Sequence, residues 1–284
     1  MLFRSSSTST DRDDSQSTIN PNGTKPGRWK RMVWSGINLA LSLFTSTTDG
    51  IVPASGGGTT NFLRADGSWA PAGAGRLLRA PQNLTSGTSI AKAAGCTFAI
   101  VEIWAGGGAG GGSAAVPGDA GMGASAGGFA YWATSTIPAA NWSYTIGAGG
   151  VGVAGNAGGL GGNTSISNGT TTVTANGGNG GGGGSFSAPG SAPAISTNGS
   201  INGSGQPGSQ STTNASSVAF SGSGGSSSWG GAGVGQSNAS GTDLTGNAAT
   251  AYGSAGGGAM GGAGVTAKAG GAGFQGVIRL WEFS

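Results

Sequence analysis

Apolar and polar positions alternate most regularly in two short segments, residues 98–104 and 277–283. A period of two residues predicts β-strands, and both segments are rich in the β-branched and aromatic residues that strands favour. Each segment is fairly apolar on both faces and borders a glycine run, and the two resemble each other. We therefore expect them to pair and to close one domain between them. In that pairing Glu102 and Arg279 become cross-strand partners, which is a structural role and not an acid–base site.

Three further segments between these two have strand character. They are residues 129–134, 142–146 and 170–175, which are rich in aromatic and β-branched residues. Such segments, bordered by glycine and short turns, are typical of strands. The sequence therefore predicts a mainly β fold class, with no substantial helix in the C-terminal domain.

Long glycine-rich runs separate the strand candidates, at residues 106–112, 121–128, 147–162, 177–184, 222–235, 256–264 and 270–276. Ordering a backbone costs roughly 1–2 kcal/mol per residue and is costliest for glycine, so isolated loops of this kind would not order. Extended glycine chains lack Cβ atoms and can therefore pack closely and exchange backbone hydrogen bonds, as collagen chains do. Collagen itself is excluded, because the glycines have no strict period of three and the chain has only 10 prolines. Three alternatives stay open: extended polyglycine-II-like segments packed together, glycine-rich β loops or solenoid turns, or disorder.

The N-terminal third of the chain has a different texture. Residues 1–31 are polar, with Ser and Thr runs, and are predicted to be an attachment arm without a core of its own. Residues 32–75 hold short apolar stretches separated by Gly and Pro, which cannot bury themselves in one chain, and we expect an intertwined fibre or shaft module. Residues 76–95 are predicted to be a connector, and residues 96–284 a glycine-rich distal domain.

One stretch of the shaft module carries a specific pattern. Residues 50–69 are G-I-V-P-A-S-G-G-G-T-T-N-F-L-R-A-D-G-S-W. This pattern resembles a recurrent module of bacteriophage tail-fibre and tail-associated proteins. The resemblance implies a fibrous segment of a homotrimer, placed before a receptor-binding or capping domain.

The distal domain carries a second, more general pattern. Residues 101–108 are V-E-I-W-A-G-G-G, and residues 144–150 are Y-T-I-G-A-G-G. This order is similar to a glycine-rich domain of phage and bacterial surface proteins, and the glycine runs resemble the tips of T-even-like phage fibres. The resemblance implies that packed glycine runs carry variable loops, which contact the receptor.

Five bulky residues stand among Ser, Asn and Thr between the glycine runs. They are Phe186, Phe220, Trp229, Tyr252 and Met260. On exposed loops, such side chains with polar neighbours suit contact with a glycan or a protein, so we take them as receptor-contact candidates. The alternative is that residues such as Trp229 and Phe220 only seal a small core.

Charge is concentrated at the N-terminus. The chain has 12 Lys and Arg residues, and none of them lies between residues 93 and 267. A nucleic-acid surface needs clustered cations, so the glycine-rich domain is not expected to bind nucleic acid. The dense basic patch is a candidate for attachment to the virion, through other phage tail or baseplate proteins. It consists of Lys25, Arg28, Lys30 and Arg31.

The residue types that carry most enzyme chemistry are scarce. The chain has no His and one Cys, Cys96, which lies in an apolar run and is expected to be an inert buried thiol. Asp119 and Asp243 are each isolated among small residues, which favours a turn role. The glycine pattern at residues 147–152 matches a nucleotide-loop motif only because glycine is so abundant. We therefore expect no enzyme activity, no cofactor and no metal site.

These observations lead to one function and one rival. The chain is expected to be a structural protein of a phage tail fibre that presents its distal domain to a host-surface glycan or outer-membrane protein. The rival is a purely structural virion protein of the baseplate, fibre assembly or capsid decoration. A bacterial surface protein is disfavoured because the N-terminus has no signal-peptide pattern. With no apolar stretch of ~18 residues, we expect no membrane insertion. We expect the protein to be part of the virion and to be extracellular after lysis.

Overall fold

The computed structural model describes the C-terminal part of the chain almost completely. The described residues are 75–184, 193, 195–214, 218–238 and 241–284, together with the four strand segments 31–34, 37–40, 61–63 and 69–71. The chain divides into two compact units, Met1–Ala74 and Gly75–Ser284. The described residues form β-strands and contain no helix, which confirms the mainly β fold class for residues 75–284.

The first unit contains two antiparallel strand pairs. β1 (Arg31–Trp34) pairs with β2 (Ile37–Ala40), and β3 (Asn61–Leu63) pairs with β4 (Trp69–Pro71). The second pair lies at the C-terminal end of the phage-like pattern, with Leu63 opposite Trp69. Residues 1–30 of the predicted attachment arm lie outside the described residues, and the intertwined shaft stays a prediction.

The described residues of the second unit form fifteen short strands. They are β5 (Gln82–Leu84), β6 (Ser89–Ala91), β7 (Phe98–Trp104), β8 (Asp119–Ala120), β9 (Phe129–Thr134), β10 (Asn141–Thr145), β11 (Thr164–Ser167), β12 (Thr172–Ala175), β13 (Ile201–Gly203), β14 (Thr212–Asn214), β15 (Val218–Phe220), β16 (Ser237–Asn238), β17 (Asp243–Leu244), β18 (Met260–Gly261) and β19 (Val277–Phe283). The expected strands at 129–134, 142–146 and 170–175 correspond to β9, β10 and β12. The sequence analysis missed β11, whose sequence T-S-I-S is too polar to stand out.

Two antiparallel sheets face each other and enclose the main core. One has the strand order β13-β9-β7-β19-β5, and the other has the order β12-β11-β10-β6. The inward side chains of both sheets form a single cluster that includes Val101, Ile103, Trp142, Ile166 and Leu280, each at most 1 % exposed. The period-two alternation in the sequence thus places one face of each strand in a sandwich core.

The two terminal strands of the domain pair as expected. β7 and β19 run antiparallel along their full length, from Val277 opposite Trp104 to Phe283 opposite Phe98. Glu102 lies opposite Arg279 in this register, which confirms the predicted cross-strand placement. Because these strands are central neighbours in the sheet, they join the two ends of the domain.

Residues 76–95, which the sequence analysis takes as a connector, supply strands to both sheets. β5 pairs with β19, and β6 pairs with β10. The same segment is tied down by Glu282, whose carboxylate forms an ion pair with Arg79 at 2.5 Å and is itself buried. The Trp142 indole nitrogen and the Ala93 amide also donate to Glu282, each at 3.0 Å. The folded unit therefore begins at Gly75 rather than at residue 96.

The glycine runs lie outside the strands and are joined by backbone hydrogen bonds with a period of three residues. In the run 105–113, every third amide faces the same neighbouring run, and the three directions are occupied in turn. Gly106, Ala109 and Gly112 donate to Gly162, Gly159 and Asn156; Gly107, Gly110 and Ser113 donate to Phe274, Gly271 and Lys268; Ala105, Gly108 and Gly111 donate to Gly128, Ser125 and Met122.

A second run, 121–128, repeats this pattern with its own neighbours. Gly121, Ala124 and Gly127 donate to Ala259, Gly256 and Gly253, while Met122, Ser125 and Gly128 donate to Gly182, Asn179 and Asn176. We call the hydrogen-bonded runs at 105–113, 121–128, 147–152, 156–162, 176–184, 205–209, 221–225, 253–259 and 268–276 the glycine array. Each interior run of the array satisfies its backbone groups through neighbouring runs, as a buried backbone requires.

Glycine is needed in the array because backbones touch there. A Cβ placed on Gly110 would overlap the carbonyl group of Gly257, and one placed on Gly258 would overlap that of Gly121. Ala109 and Ala124 lie in the same runs and are completely buried, so a methyl group fits at some positions. The array is therefore a packed interior whose contacts are made by main chain instead of side chains.

Candidate functional site

The outward face of the five-stranded sheet is the first surface with functional character. Val101 and Ile103 of β7 point into the core, so Ile100, Glu102 and Trp104, which alternate with them, point outward. Such a face in an antiparallel sheet is usually polar. Here it is largely aromatic, which marks it as a candidate contact surface.

The strand register gathers side chains on this face around Glu102. Glu102 lies opposite both Tyr131 of β9 and Arg279 of β19. Trp281 follows Arg279 by two residues on the same strand and therefore shares its side of the sheet. All four side chains are half-buried.

Trp229 lies over one end of this face, although it belongs to a distant loop. Its ring meets the Trp104 ring edge to face, with centroids 5.3 Å apart, and meets Tyr252 in the same way at 5.6 Å. The Trp104 indole nitrogen donates to Ser228 Oγ at 2.7 Å, which helps to fix the loop. We call the group of Glu102, Tyr131, Trp229, Arg279 and Trp281 the aromatic corner.

The Arg279 guanidinium lies between two indole rings of the aromatic corner. Its central carbon is 4.5 Å from the Trp229 centroid and 5.6 Å from the Trp281 centroid, distances typical of cation–π contacts. Arg279 Nε donates to Asn83 Oδ1 at 3.1 Å. These contacts turn the guanidinium towards the rings and Asn83 instead of towards Glu102.

Glu102 is the other charge of the aromatic corner. Within the part of the chain that the structure describes, its carboxylate accepts no hydrogen bond and forms no ion pair. Burial raises the pKa of Glu102 above its ordinary value, and the positive charge of Arg279 partly opposes this rise. The corner thus holds two opposite charges that are neighbours on the sheet and are not bonded to each other.

The second surface is formed by loops at one end of the glycine array, the end that the run 105–113 reaches at residue 113. Three segments meet there, residues 113–118, 151–156 and 261–268, which we call the far-end loops. Ser113 bridges to Lys268, Ala154 bridges to Ala269, and the Gly118 amide donates to Gly261 at 2.7 Å. Val116, Val153 and Val265 are 55 %, 45 % and 74 % exposed. Three loops that meet on a backbone-packed support therefore each expose an apolar side chain.

The five predicted contact residues fall in different places. Trp229 and Tyr252 are half-buried in one aromatic cluster, Phe220 is 48 % exposed on β15, and Phe186 lies outside the described residues. Met260 is fully buried on β18, packed with Ala120 and Ala219, so its side chain has no access to a partner. Of the attachment candidates, Lys25, Arg28 and Lys30 also lie outside the described residues, and Arg31 begins β1.

The sequence analysis did not select Tyr131, Arg279 and Trp281 as contact residues. A signal for them was present in the sequence. In the strands 98–104, 129–134 and 277–283, aromatic and charged residues recur at every second position, which places them on one face of the sheet. The valines of the far-end loops carried no such signal, since nothing in the sequence shows which loops meet.

The two isolated carboxylates hold loops in place. Asp119 Oδ2 accepts the Ala114 amide at 2.5 Å. Asp243 accepts the amides of Gly264, Val265 and Thr266 at 2.8–3.1 Å. Partial desolvation raises the pKa of Asp243, but these backbone donors and the Thr266 hydroxyl outweigh it and lower the pKa below its ordinary value. Both residues therefore stabilise neighbouring loops, although they themselves lie on β8 and β17 and not in turns as the sequence analysis expects.

Cys96 is buried, and its Sγ lies 3.4 Å from the Phe98 carbonyl oxygen. Burial, followed by the nearby charge of Glu282, raises the pKa of the Cys96 thiol. A raised pKa disfavours the reactive thiolate. In the described residues, no group of three or more His, Cys, Asp or Glu side chains is placed to hold a metal ion. None of the described segments is a helix long and apolar enough to cross a membrane.

Comparison with known families agrees with the architecture of the second unit. The model of the glycine-rich domain family matches residues 82–280, which is most of the chain. The chain belongs to this glycine-rich domain family. The matched region begins at β5 and ends within β19, so it covers the glycine array, the far-end loops, both sheets apart from the last three residues of β19, and the aromatic corner apart from Trp281. No curated protein matches the chain.

Proposed function

We propose that this member of the glycine-rich domain family is a structural protein of a bacteriophage tail fibre that presents its distal domain for attachment to the host surface. The observation that carries the proposal is the combination of the glycine array with the exposed far-end loops. The phage-like pattern at residues 50–69 supports a homotrimeric fibre segment, joined through the N-terminus to other tail or baseplate proteins. Its place would be the virion, and it would be extracellular after lysis.

The array suits the role of a rigid support. We infer that its runs are polyglycine-II-like, because a period of three in the hydrogen bonds is that of a threefold extended helix. At a rise of ~3.1 Å per residue, the run 105–113 extends about 28 Å from the sandwich to the far-end loops. Interior runs bonded on several sides hold the loops in a fixed arrangement, which lowers the entropy cost of binding.

The far-end loops suit the role of a contact surface. Val116 and Val265 are exposed although their loops are anchored, Val265 through the Asp243 carboxylate and Val116 through its neighbour Pro117 packed near Gly264. Apolar side chains on fixed loops bury area against a partner without first losing much freedom. An outer-membrane protein or glycan of the host is the proposed partner.

A purely structural virion protein is the second candidate. The same rigid array would also serve a baseplate, decoration or fibre-assembly protein, and the half-buried aromatic face would then be covered by another virion protein. The two candidates differ in whether the purified protein competes with the phage for the host.

The test is adsorption inhibition by the full chain. Purified protein is added to host cells before the phage, and unadsorbed phage is counted. Under the attachment proposal, the wild-type protein leaves more phage free, and Val116→Asp combined with Val265→Asp abolishes this effect. Both positions are exposed, so the variant is expected to fold.

Leu160→Ser is the matched control. Leu160 is 70 % exposed in the array run 156–162 and belongs to none of the three far-end loops, so the variant should inhibit as well as wild type. If the folded wild-type protein does not inhibit adsorption, the structural role becomes the better account. If all three proteins inhibit equally, attachment is real but uses another surface.

A further inference from the structure

The aromatic corner carries polar groups whose bonding capacity the described residues do not use. The Glu102 carboxylate has no hydrogen-bond partner there, and the terminal nitrogens of Arg279 donate no hydrogen bond. Half-buried charges normally find partners, because a desolvated charge without one is costly. The Glu102 carboxylate and the terminal nitrogens of Arg279 therefore keep hydrogen-bonding capacity that a ligand on this sheet face could use.

The chemistry of the two groups restricts what could bind between them. An ionised carboxylate only accepts hydrogen bonds, and a guanidinium only donates them. A ligand that satisfies both must donate and accept at neighbouring positions, which hydroxyl groups do. Because the two neighbouring charges are opposite, a ligand with a net charge of either sign is attracted by one and repelled by the other, so a net charge gains little here.

The rings beside these charges supply the other half of a site. Trp281 and Tyr131 are half-buried on the same face, and Trp229 lies over its end. Aromatic rings with polar neighbours pack against molecules that have apolar faces and polar edges. A pyranose ring has C–H groups on its faces and hydroxyls around its edge, so it matches both features.

We propose that the aromatic corner is a binding site for a neutral saccharide, with a sugar ring against Trp281 or Tyr131 and its hydroxyls bonded to Glu102 and Arg279. Arg279 is held ready for this by its contacts with Trp229 and Asn83. The inference deepens the proposed function, since it names a ligand class for the attachment domain, but it concerns a different surface from the far-end loops.

Ligand-observed NMR titration of the purified full chain tests the site. The probes are D-glucose, D-galactose, D-mannose and N-acetyl-D-glucosamine, with glycine as a zwitterionic comparison. The wild-type protein is expected to bind at least one sugar with a millimolar Kd, which is typical of a single small contact. Glu102→Ala and Trp281→Ala are each expected to weaken binding at least tenfold, and Glu102→Gln, which keeps one acceptor, is expected to weaken it less.

Lys92→Ala is the matched control, because Lys92 is a cation of the same domain that directly follows β6, a strand of the other sheet. It should bind the sugar as wild type does. Unfolding midpoints of all variants show that lost binding is not lost folding. The proposal is overturned if the wild-type protein binds none of the sugars, if it binds glycine instead, or if Glu102→Ala and Trp281→Ala both bind normally.

Sedimentation of the same proteins separates the main rival occupant. If Trp281→Ala changes the oligomeric state and no sugar binds, the aromatic face is an interface between copies of the chain. Sugar binding and adsorption inhibition are measured independently. A protein that inhibits adsorption but binds no sugar overturns only this inference, whereas one that binds sugar through the corner and does not inhibit adsorption overturns only the attachment role.

Discussion

The sandwich and the glycine array belong to one folded unit but are stabilised in opposite ways. In the sandwich, side chains such as Trp142 and Ile166 fill the space between two sheets. In the array, the main chains themselves are in contact, and hydrogen bonds in three directions replace side-chain packing. The difference shows that an interior can be built without large apolar residues, provided that almost every interior backbone group finds a partner.

The two regions should therefore be destabilised by different kinds of substitution. The sandwich is sensitive to the loss of atoms, because a cavity or an unpaired polar group is left behind. The array is sensitive to the gain of atoms, because no space exists between its backbones. Each variant below tests one side of this contrast.

The largest loss of folding stability is expected from Glu282→Ala in the sandwich. This change removes the partner of Arg79 and leaves the buried Trp142 indole nitrogen without an acceptor. Removing one partner from a buried pair typically costs about 3–5 kcal/mol, and the lower end applies here because the Arg79 side chain is 29 % exposed. Chemical unfolding monitored by tryptophan fluorescence measures the loss, with Glu102→Gln on the outward face as the control that should change stability little. A cost below about 1 kcal/mol would contradict the role given to this carboxylate.

A smaller but still substantial effect is expected from Gly110→Ala in the array. The new methyl group would overlap the Gly257 carbonyl, so two runs must separate. Overpacking costs about 1–3 kcal/mol, and the rigid backbone neighbour places this case near the upper end. Gly203→Ala is the control, because a Cβ there meets only the Phe129 carbonyl at an ordinary 3.8 Å. Equal stability of the two variants in a denaturant titration would argue against backbone contact as the basis of the array.

The smallest effect is expected at the edge of the array, from Asp243→Asn. The charged carboxylate accepts three backbone amides, which holds the loop at 264–266. Its folded pKa is lowered, so its contribution is present above the unfolded value of ~3.9 and is lost as the pH falls through the folded pKa. Hydrogen exchange should show faster exchange of the Gly264 and Thr266 amides in the variant, and unchanged exchange at Gly111. Equal protection of these amides in the variant and in the wild type at neutral pH would contradict this account.

The amino-acid sequence was sufficient to predict the β-strands in which apolar side chains alternate along the chain. The alternation at 98–104 and 277–283 was enough to predict two paired strands and the placement of Glu102 opposite Arg279. It was also enough to predict the strands near 129–134 and 142–146, because large apolar residues at a period of two can be buried only on a sheet face.

The pairing of the glycine runs can be seen only in the three-dimensional structure. The same is true of the entry of residues 76–95 into both sheets, the contact of Trp229 with Arg279 and the burial of Met260. Glycine has no side chain, so one run is chemically almost the same as another, and the three-residue period of the hydrogen bonds leaves no trace in the sequence. Partner choice in the array is set by the lengths of the turns and by the sandwich that fixes where each run begins. That arrangement also places the loop that carries Trp229 over the end of the sheet, where the strand register gathers the other four residues of the aromatic corner.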